Sequence, residues 1–214
     1  MGAFLKREDP RDVLIAENPE VDLDNFNQRM VIGTSSLRRG AFLRYYSPHC
    51  EVKSIRGNVD TRVEKMRSGA YDGIILAYAG VKRMGMAHLI RRKLRVHTFT
   101  PAVGQGAIGV TVRAGDTATL NQVRPILLHE GTGHALVAER AYLRRMQGGC
   151  QTPIFALATV QADTISMQGG VATVNGSQIL RDEVEGHVAE AAELGLELAE
   201  KLISMGASEI LNGK

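Results

Sequence analysis

Three short stretches of this sequence combine hydroxyls, glycines and arginines in an order that suits anion binding. Gly33-Thr34-Ser35-Ser36-Leu37-Arg38-Arg39 follows an apolar run and opens a helical pattern. Main-chain N–H groups at a helix start point outward, and the helix dipole favours an anion there. Thr34, Ser35 and Ser36 add hydroxyl donors, while Arg38 and Arg39 add guanidinium forks that fit carboxylates or phosphates. Arg56-Gly57-Asn58-Val59-Asp60-Thr61-Arg62 repeats the pattern after the next apolar run, with Gly57 free to turn tightly or approach a ligand. Ala79-Gly80-Val81-Lys82-Arg83 is a third copy. Any one stretch alone reads equally as a capped surface helix with solvated arginines. Three in succession bring basic side chains to one rim, which favours an anion-binding cleft. Gly148-Gly149-Cys150 offers a thiol after two glycines, either a reactive or modified cysteine or a small residue buried at a helix–strand junction. Cys50, beside Pro48, reads as structural. The six histidines, at 49, 88, 97, 129, 134 and 187, make no ligating spacing, so no metal site is expected.

The elements that must carry these stretches alternate. Strands are predicted over Met30–Gly33, Glu51–Ile55 and Gly73–Ala77, with helices over Leu37–Tyr46 and Val59–Ser68 between them. Two further helical stretches are predicted around Gly80–Met84 and Ala87–Leu94. Strand–helix alternation implies parallel pairing with right-handed crossovers. A glycine-rich linker follows at Pro101–Gly106, then a strand at Ala107–Arg113 and helices over Asp116–Leu128 (irregular at Pro125) and His134–Met146. Beyond Cys150 the period shortens to strands at Ile154–Val160, Thr164–Val171 and Gln178–Glu185, with Asn175-Gly176 as a hairpin turn. His187–Ser204 reads as an amphipathic helix. The strand at 107–113 has no evident partner in the chain, and a lone strand leaves its backbone groups unpaired.

The charge is uneven. Lys and Arg number 26 and Asp and Glu 23, a net +3, but Thr34–Arg95 holds 14 basic residues against 4 acidic ones. That local +10 calls for a polyanionic partner. With no Trp and only 5% aromatics, the chain lacks stacking platforms for single-stranded nucleic acid, and no nucleic-acid partner is expected. No apolar run approaches the ~20 residues of a membrane span, the first residues have no signal-peptide pattern, and two cysteines make no disulfide framework. A cytoplasmic location without membrane contact is the expectation.

The motifs, taken together, resemble those of one family. Arg7-Glu8-Asp9-Pro10-Arg11-Asp12, Gly33 to Arg39, Arg56 to Arg62, Leu76-Ala77 with Ala79-Gly80, Ala102 to Ala107, and Gly148-Gly149-Cys150 with Pro153 are similar in order and spacing to the porphobilinogen deaminase (hydroxymethylbilane synthase) family. The resemblance implies an α/β fold: a parallel-sheet, periplasmic-binding-protein-like domain, then a small α+β domain with a three-stranded antiparallel sheet. It implies a transferase of haem and tetrapyrrole biosynthesis that condenses four porphobilinogen units into hydroxymethylbilane with loss of ammonia. It also implies a dipyrromethane cofactor joined covalently to Cys150. On the same resemblance Thr34, Ser36, Arg38, Arg39, Arg62 and Gly80 hold the cofactor's carboxylates. Arg56, Arg62 and Arg83 act on the incoming substrate, and Gln105 lies in the hinge.

The family's first domain lies mostly before the motif that here begins at Arg7, and its His-Ser-x-Lys-Asp motif is absent from the sequence. The expected partition is therefore a remnant of that domain at 1–11 and a cofactor-binding domain at 12–100. A hinge and return segment at 101–129 and a C-terminal domain at 130–214 complete it. The isolated chain is expected to be catalytically impaired, with the cofactor absent or sparse. The strand at 107–113 is expected to be disordered, rearranged, or paired with a second copy or a separate N-terminal chain. The alternatives are a non-catalytic oligopyrrole- or anion-binding module and a subunit of a split enzyme. Intact-mass spectrometry separates these readings. A competent protein carries a dipyrromethane adduct that Cys150→Ser abolishes, and the isolated chain is expected to be largely unmodified.

Overall fold

A computed structural model describes residues 1–25, 29–149 and 152–212. The chain starts with a two-residue strand, β1 (Ala3–Phe4), and continues into β2 (Asp12–Ile15) and β3 (Met30–Gly33). Helix α1 (Leu37–Tyr46), β4 (Cys50–Lys53), α2 (Val59–Lys65), β5 (Gly73–Ala77), α3 (Tyr78–Arg83) and β6 (Ile90–Lys93) complete the first unit. Its five-stranded sheet has the order β4-β3-β5-β2-β6. β3 runs parallel to β4 and β5, while β2 runs antiparallel to β5 and β6. The reversed strand matters most for the site. Asp12 pairs with Ala77, so the amino end of β2 lies at the same edge as the carboxyl ends of β3, β4 and β5. The sheet is thus mixed rather than wholly parallel, with helices on both faces.

Period-two alternation covers both faces of the sheet. Leu14, Met30, Ile32 and Ile75 pack with Phe42 and Leu43 of α1 on one side. Val13, Ile15, Ile74 and Leu76 pack with Val63 and Val81 of α2 and α3 on the other.

One expectation is corrected in this unit, and one strand had no sequence signal. The stretch 87–94 is one helical turn at Ala87–Leu89 followed by strand β6, because its backbone pairs with β2 (Leu14 with Arg92, Ile15 with Ile90). β2 itself, four buried residues, is too short a run to read as a strand beforehand. The basic residues of β6 are also engaged: Arg91 donates to the carbonyls of Ala16 and Glu17, and Arg92 pairs with Asp22 and Asp24.

The segment expected to lack a partner has one. It contracts to β7 (Gly109–Val110), which pairs antiparallel with β1 through Ala3–Val110 and Phe4–Gly109. Gly2 N–H to Val110 O (2.8 Å) and Leu5 N–H to Ile108 O (3.1 Å) extend the ribbon. Helix α4 (Thr117–Leu127) follows, capped by Asp116, with Pro125 accommodated in its last turn.

The second unit is α5 (Glu130–Arg145), the antiparallel sheet β8 (Ile154–Gln161), β9 (Thr164–Ala172) and β10 (Ile179–His187), then α6 (Ala191–Ser204) and α7 (Ala207–Leu211). α5 and α6 cover one face of the sheet. They approach closely enough that a Cβ on Gly195 would lie 2.1 Å from the Ala138 carbonyl oxygen. None of the helices is long and apolar enough to cross a membrane among the described residues.

The units meet through aromatic rings and a turn. Phe155 of β8 packs edge-on to Phe42 of α1 at 4.9 Å, and Arg181 donates to Tyr46 Oη at 2.9 Å. The 173–178 turn docks on α1, where Arg44 donates to the Val174 carbonyl. Gly176 has φ +73°, and a Cβ there would lie 2.8 Å from the Ala41 carbonyl oxygen and 2.5 Å from Arg44 Cβ. Gly176→Ala is accordingly expected to lower stability by about 1–3 kcal/mol through strain and lost docking. Urea unfolding monitored by circular dichroism measures it; an unchanged midpoint would mean the turn does not bear on α1.

Candidate functional site

The three parallel strands each hand over to a helix at the same edge. After β3, Thr34 N–H donates to the Lys53 carbonyl (2.9 Å) and Ser36 caps α1 by accepting Arg39 N–H. Ser35 Oγ donates to the Ile55 carbonyl (2.7 Å), tying this loop to the one after β4. Gly57 turns at φ +126°, Asn58 caps α2 by accepting Thr61 N–H at 2.9 Å, and Arg62 Nε donates to the Gly57 carbonyl at 2.8 Å. After β5, Tyr78 N–H donates to the Arg11 carbonyl and opens α3, which carries Gly80 and ends at Arg83.

Arg38 and Arg39 are not solvated. Both are buried, and both close on Asp12, which has no exposed surface. Arg38 Nη1 donates to Asp12 Oδ2 (2.7 Å) and to the Thr100 carbonyl (2.7 Å). Arg39 donates to Asp12 Oδ1 from Nε (2.9 Å) and Nη2 (2.7 Å), and reaches the Ile75 carbonyl from Nη1. Gln105 completes the group: its Nε2 donates to Asp12 Oδ1 (2.9 Å) and the Pro10 carbonyl (2.6 Å), and its Oε1 accepts from both arginines at 3.3 and 3.4 Å. Arg38 Nε is buried with no acceptor among the described residues. Burial pushes the Asp12 carboxyl upward, but the Arg38 and Arg39 charges reverse that and hold it down at about 2.

One carboxylate faces two guanidiniums, so the group keeps a surplus positive charge. Arg62 lies close enough to feel it: burial and the Arg39 charge together lower the Arg62 pKa. No carboxylate lies within ion-pair distance of Arg56, Arg62 or Arg83 among the described residues, and Arg56 and Arg83 are exposed. The rim therefore has a buried cationic floor at Arg38–Arg39, a half-buried Arg62 beside it, and exposed arginines outside. Thr34 is buried beneath it, while Ser36 and Gly80 are half-buried.

A second buried carboxylate joins the rim to the other unit. Glu139 of α5, fully buried, takes both Nη atoms of Arg7, the Gly104 N–H (2.7 Å) and the Ala158 N–H (2.9 Å). Arg7 Nε donates to the Gln105 carbonyl at 2.8 Å. Gln105 thus holds the rim with its side chain and the second unit with its main chain. Cys150 lies outside the described residues; beside it, Thr152 Oγ1 accepts from Gly149 N–H at 2.9 Å. Glu139 carries no motif signal in the sequence, and Asp12 enters there only as the last residue of the Arg7–Asp12 motif, with no role assigned to it.

Two family profiles cover the chain: "Porphobilinogen deaminase, dipyromethane cofactor binding domain" over residues 1–121 and "Porphobilinogen deaminase, C-terminal domain" over 134–204. The chain belongs to the porphobilinogen deaminase family. The family's porphobilinogen deaminase from Synechococcus sp. is 44% identical over 213 residues, covering 99% of this chain and 67% of that protein. The enzyme from Pelotomaculum thermopropionicum is 45% identical over 211 residues and that from Moorella thermoacetica 46% over 212, each with the same coverage. The chain thus spans about two thirds of these relatives. The substrate-binding protein of an amino acid ABC transporter superposes only loosely, with a TM-score of 0.34 and 16% identity over 57% of this chain and 54% of that one. Membership brings a transferase of tetrapyrrole biosynthesis with a dipyrromethane cofactor. The residues fit such a group, since the rim carries surplus positive charge and an unfilled buried donor at Arg38 Nε.

Asp12 links this site to pH. Its folded pKa lies below its ordinary 3.8, so its contribution is present above about pH 5 and is lost as pH falls through about 2. The shift corresponds to on the order of 2 kcal/mol. Asp12→Asn is expected to cost about 3–5 kcal/mol at pH 7, with the deficit shrinking towards pH 2. Urea unfolding across that range tests this; a deficit constant with pH would contradict it.

Proposed function

We propose that the rim binds the acetate and propionate groups of porphobilinogen-derived oligopyrroles, and that the chain provides one wall of a hydroxymethylbilane-forming site. The observation that carries this reading is the charge count at the floor, two buried guanidiniums sharing one buried carboxylate. Arg38, Arg39 and Arg62 hold carboxylates of the dipyrromethane cofactor, with Thr34, Ser36 and Gly80 lining the approach. Arg56, Arg62 and Arg83, which have no acidic partner among the described residues, orient the carboxylates of incoming porphobilinogen. Cys150 is the attachment point. When bound, the cofactor supplies the primer to which pyrrole units are added.

The reaction also needs an acid that balances positive charge as ammonia leaves and the new bond forms. Asp12 does not meet that need. It has no exposure, four donors already occupy its oxygens, and its low pKa keeps it ionised. Glu139 is also fully buried and engaged by Arg7 and two main-chain N–H groups. The catalytic acid of the family motif His-Ser-x-Lys-Asp does not occur in these 214 residues. The isolated chain is therefore binding-competent but impaired in turnover, and a separate polypeptide bearing that motif restores activity. The β1–β7 ribbon supports this division, because a sheet that has two strands among the described residues leaves open edges that accept further strands.

The test is a porphobilinogen-consumption assay with ammonia detection. The 214-residue chain alone is expected to show turnover at least about a thousandfold below that of a relative, in line with loss of a charge-stabilising group. Adding the N-terminal third of the Pelotomaculum thermopropionicum enzyme is expected to raise it. Full turnover by the isolated chain would overturn the division.

A further inference from the structure

We propose that Gln105 is a positioning residue whose neutrality keeps the surplus charge of the Arg38–Arg39–Asp12 group available to an anionic ligand. This rests on the reading of the rim as a carboxylate site. The acceptors of the two buried guanidiniums are Asp12, the carbonyls of Thr100 and Ile75, and Gln105 Oε1. Among the described residues only Asp12 of these acceptors is charged. The neighbouring acids of the same segment are taken elsewhere, Glu8 by Lys82 and Asp9 by Arg11 and Lys93.

A side chain at position 105 has two tasks here. It must accept from both guanidiniums, and it must donate to Asp12 Oδ1 and the Pro10 carbonyl. A carboxylate of the same shape would accept equally well, but it would face Asp12 with no donor and cancel the surplus charge. An amide satisfies both sides without neutralising either arginine. The surplus then acts on Arg62 and on whatever anion approaches through the half-buried side of the group. In a poorly hydrated setting one charge a few ångströms away changes anion affinity by at least about tenfold. Gln105 also receives Arg7 Nε on its main-chain oxygen, so the backbone that carries its side chain is tied to the Arg7–Glu139 link.

The test uses citrate as a small polycarboxylate probe on the whole chain and reads its dissociation constant from the rise in unfolding temperature. The unaltered chain is expected to be stabilised by citrate. Gln105→Glu is expected to weaken citrate binding at least about tenfold, and Gln105→Met, which removes the hydrogen bonds without adding charge, by less than about threefold. Equal losses in the two variants, or no citrate response in the unaltered chain, would overturn the proposal. Should Gln105→Glu fail to fold, nuclear magnetic resonance of the arginine Nε–H groups in the unaltered chain decides. Citrate is expected to shift the Arg38 and Arg39 signals, and unmoved signals alongside thermal stabilisation would place citrate elsewhere and overturn the proposal. A parallel titration with porphobilinogen keeps the two ideas apart: a citrate pattern as expected with no porphobilinogen binding refutes the substrate reading alone.

Discussion

The ion group of Asp12 with Arg38 and Arg39 is the constraint on which the rest of the structure depends. Removing a carboxylate from water costs several kcal/mol, and only close, well-oriented cations offset that. The sheet order supplies them. Because β2 runs against its neighbours, Asp12 arrives at the edge where β3 ends and α1 begins. Ser36 caps the helix, and the two arginines in its first turn fall on either side of the carboxylate. An odd charge count follows from this arrangement, and an odd count in a buried group calls for an anion from outside.

The same edge governs how the two units are joined. Gln105 completes the coordination of Asp12 and also accepts Arg7, whose guanidinium closes on Glu139 in α5. Glu139 in turn holds the N–H groups of Gly104 and Ala158, so the linker and the first strand of the second sheet are fixed by one carboxylate. Two buried acids, each answered by arginine from elsewhere in the chain, thus tie binding floor, linker and C-terminal unit together. The Phe42–Phe99–Phe155 rings pack beside this link and add apolar burial where the polar network ends. Under the proposed reading the two sides match in charge: an oligopyrrole presents a row of carboxylates, and among the described residues the rim presents guanidiniums with no acidic partner of their own.

Much of this was legible in the residues. Strong periodic signals located α1, β3, β5 and the three strands of the second sheet, and Asn175-Gly176 marked the turn between β9 and β10. Arg38, Arg39, Arg56 and Arg62 stood out because they follow apolar runs in stretches that also hold glycine and hydroxyl or amide side chains. The elements that were missed are those made by long-range pairing. β2 is four residues long, β6 is rich in arginine and lysine, and β1 pairs with β7 over only two residues. None has a local pattern strong enough to announce itself, and each exists because a distant strand satisfies its backbone. The burial of the arginines was likewise hidden, because it depends on Asp12, some 26 positions away from Arg38.

Recognition of pyrrole carboxylates by this rim is the proposal on which the functional reading stands. Isothermal titration of the chain with porphobilinogen, and with the aminomethylpyrrole that lacks both carboxylate side chains, tests it most directly. Binding of porphobilinogen that Arg62→Gln weakens, with no detectable heat from the decarboxylated pyrrole, is the predicted result. Equal binding of the two pyrroles, or porphobilinogen binding indifferent to Arg62, would contradict it.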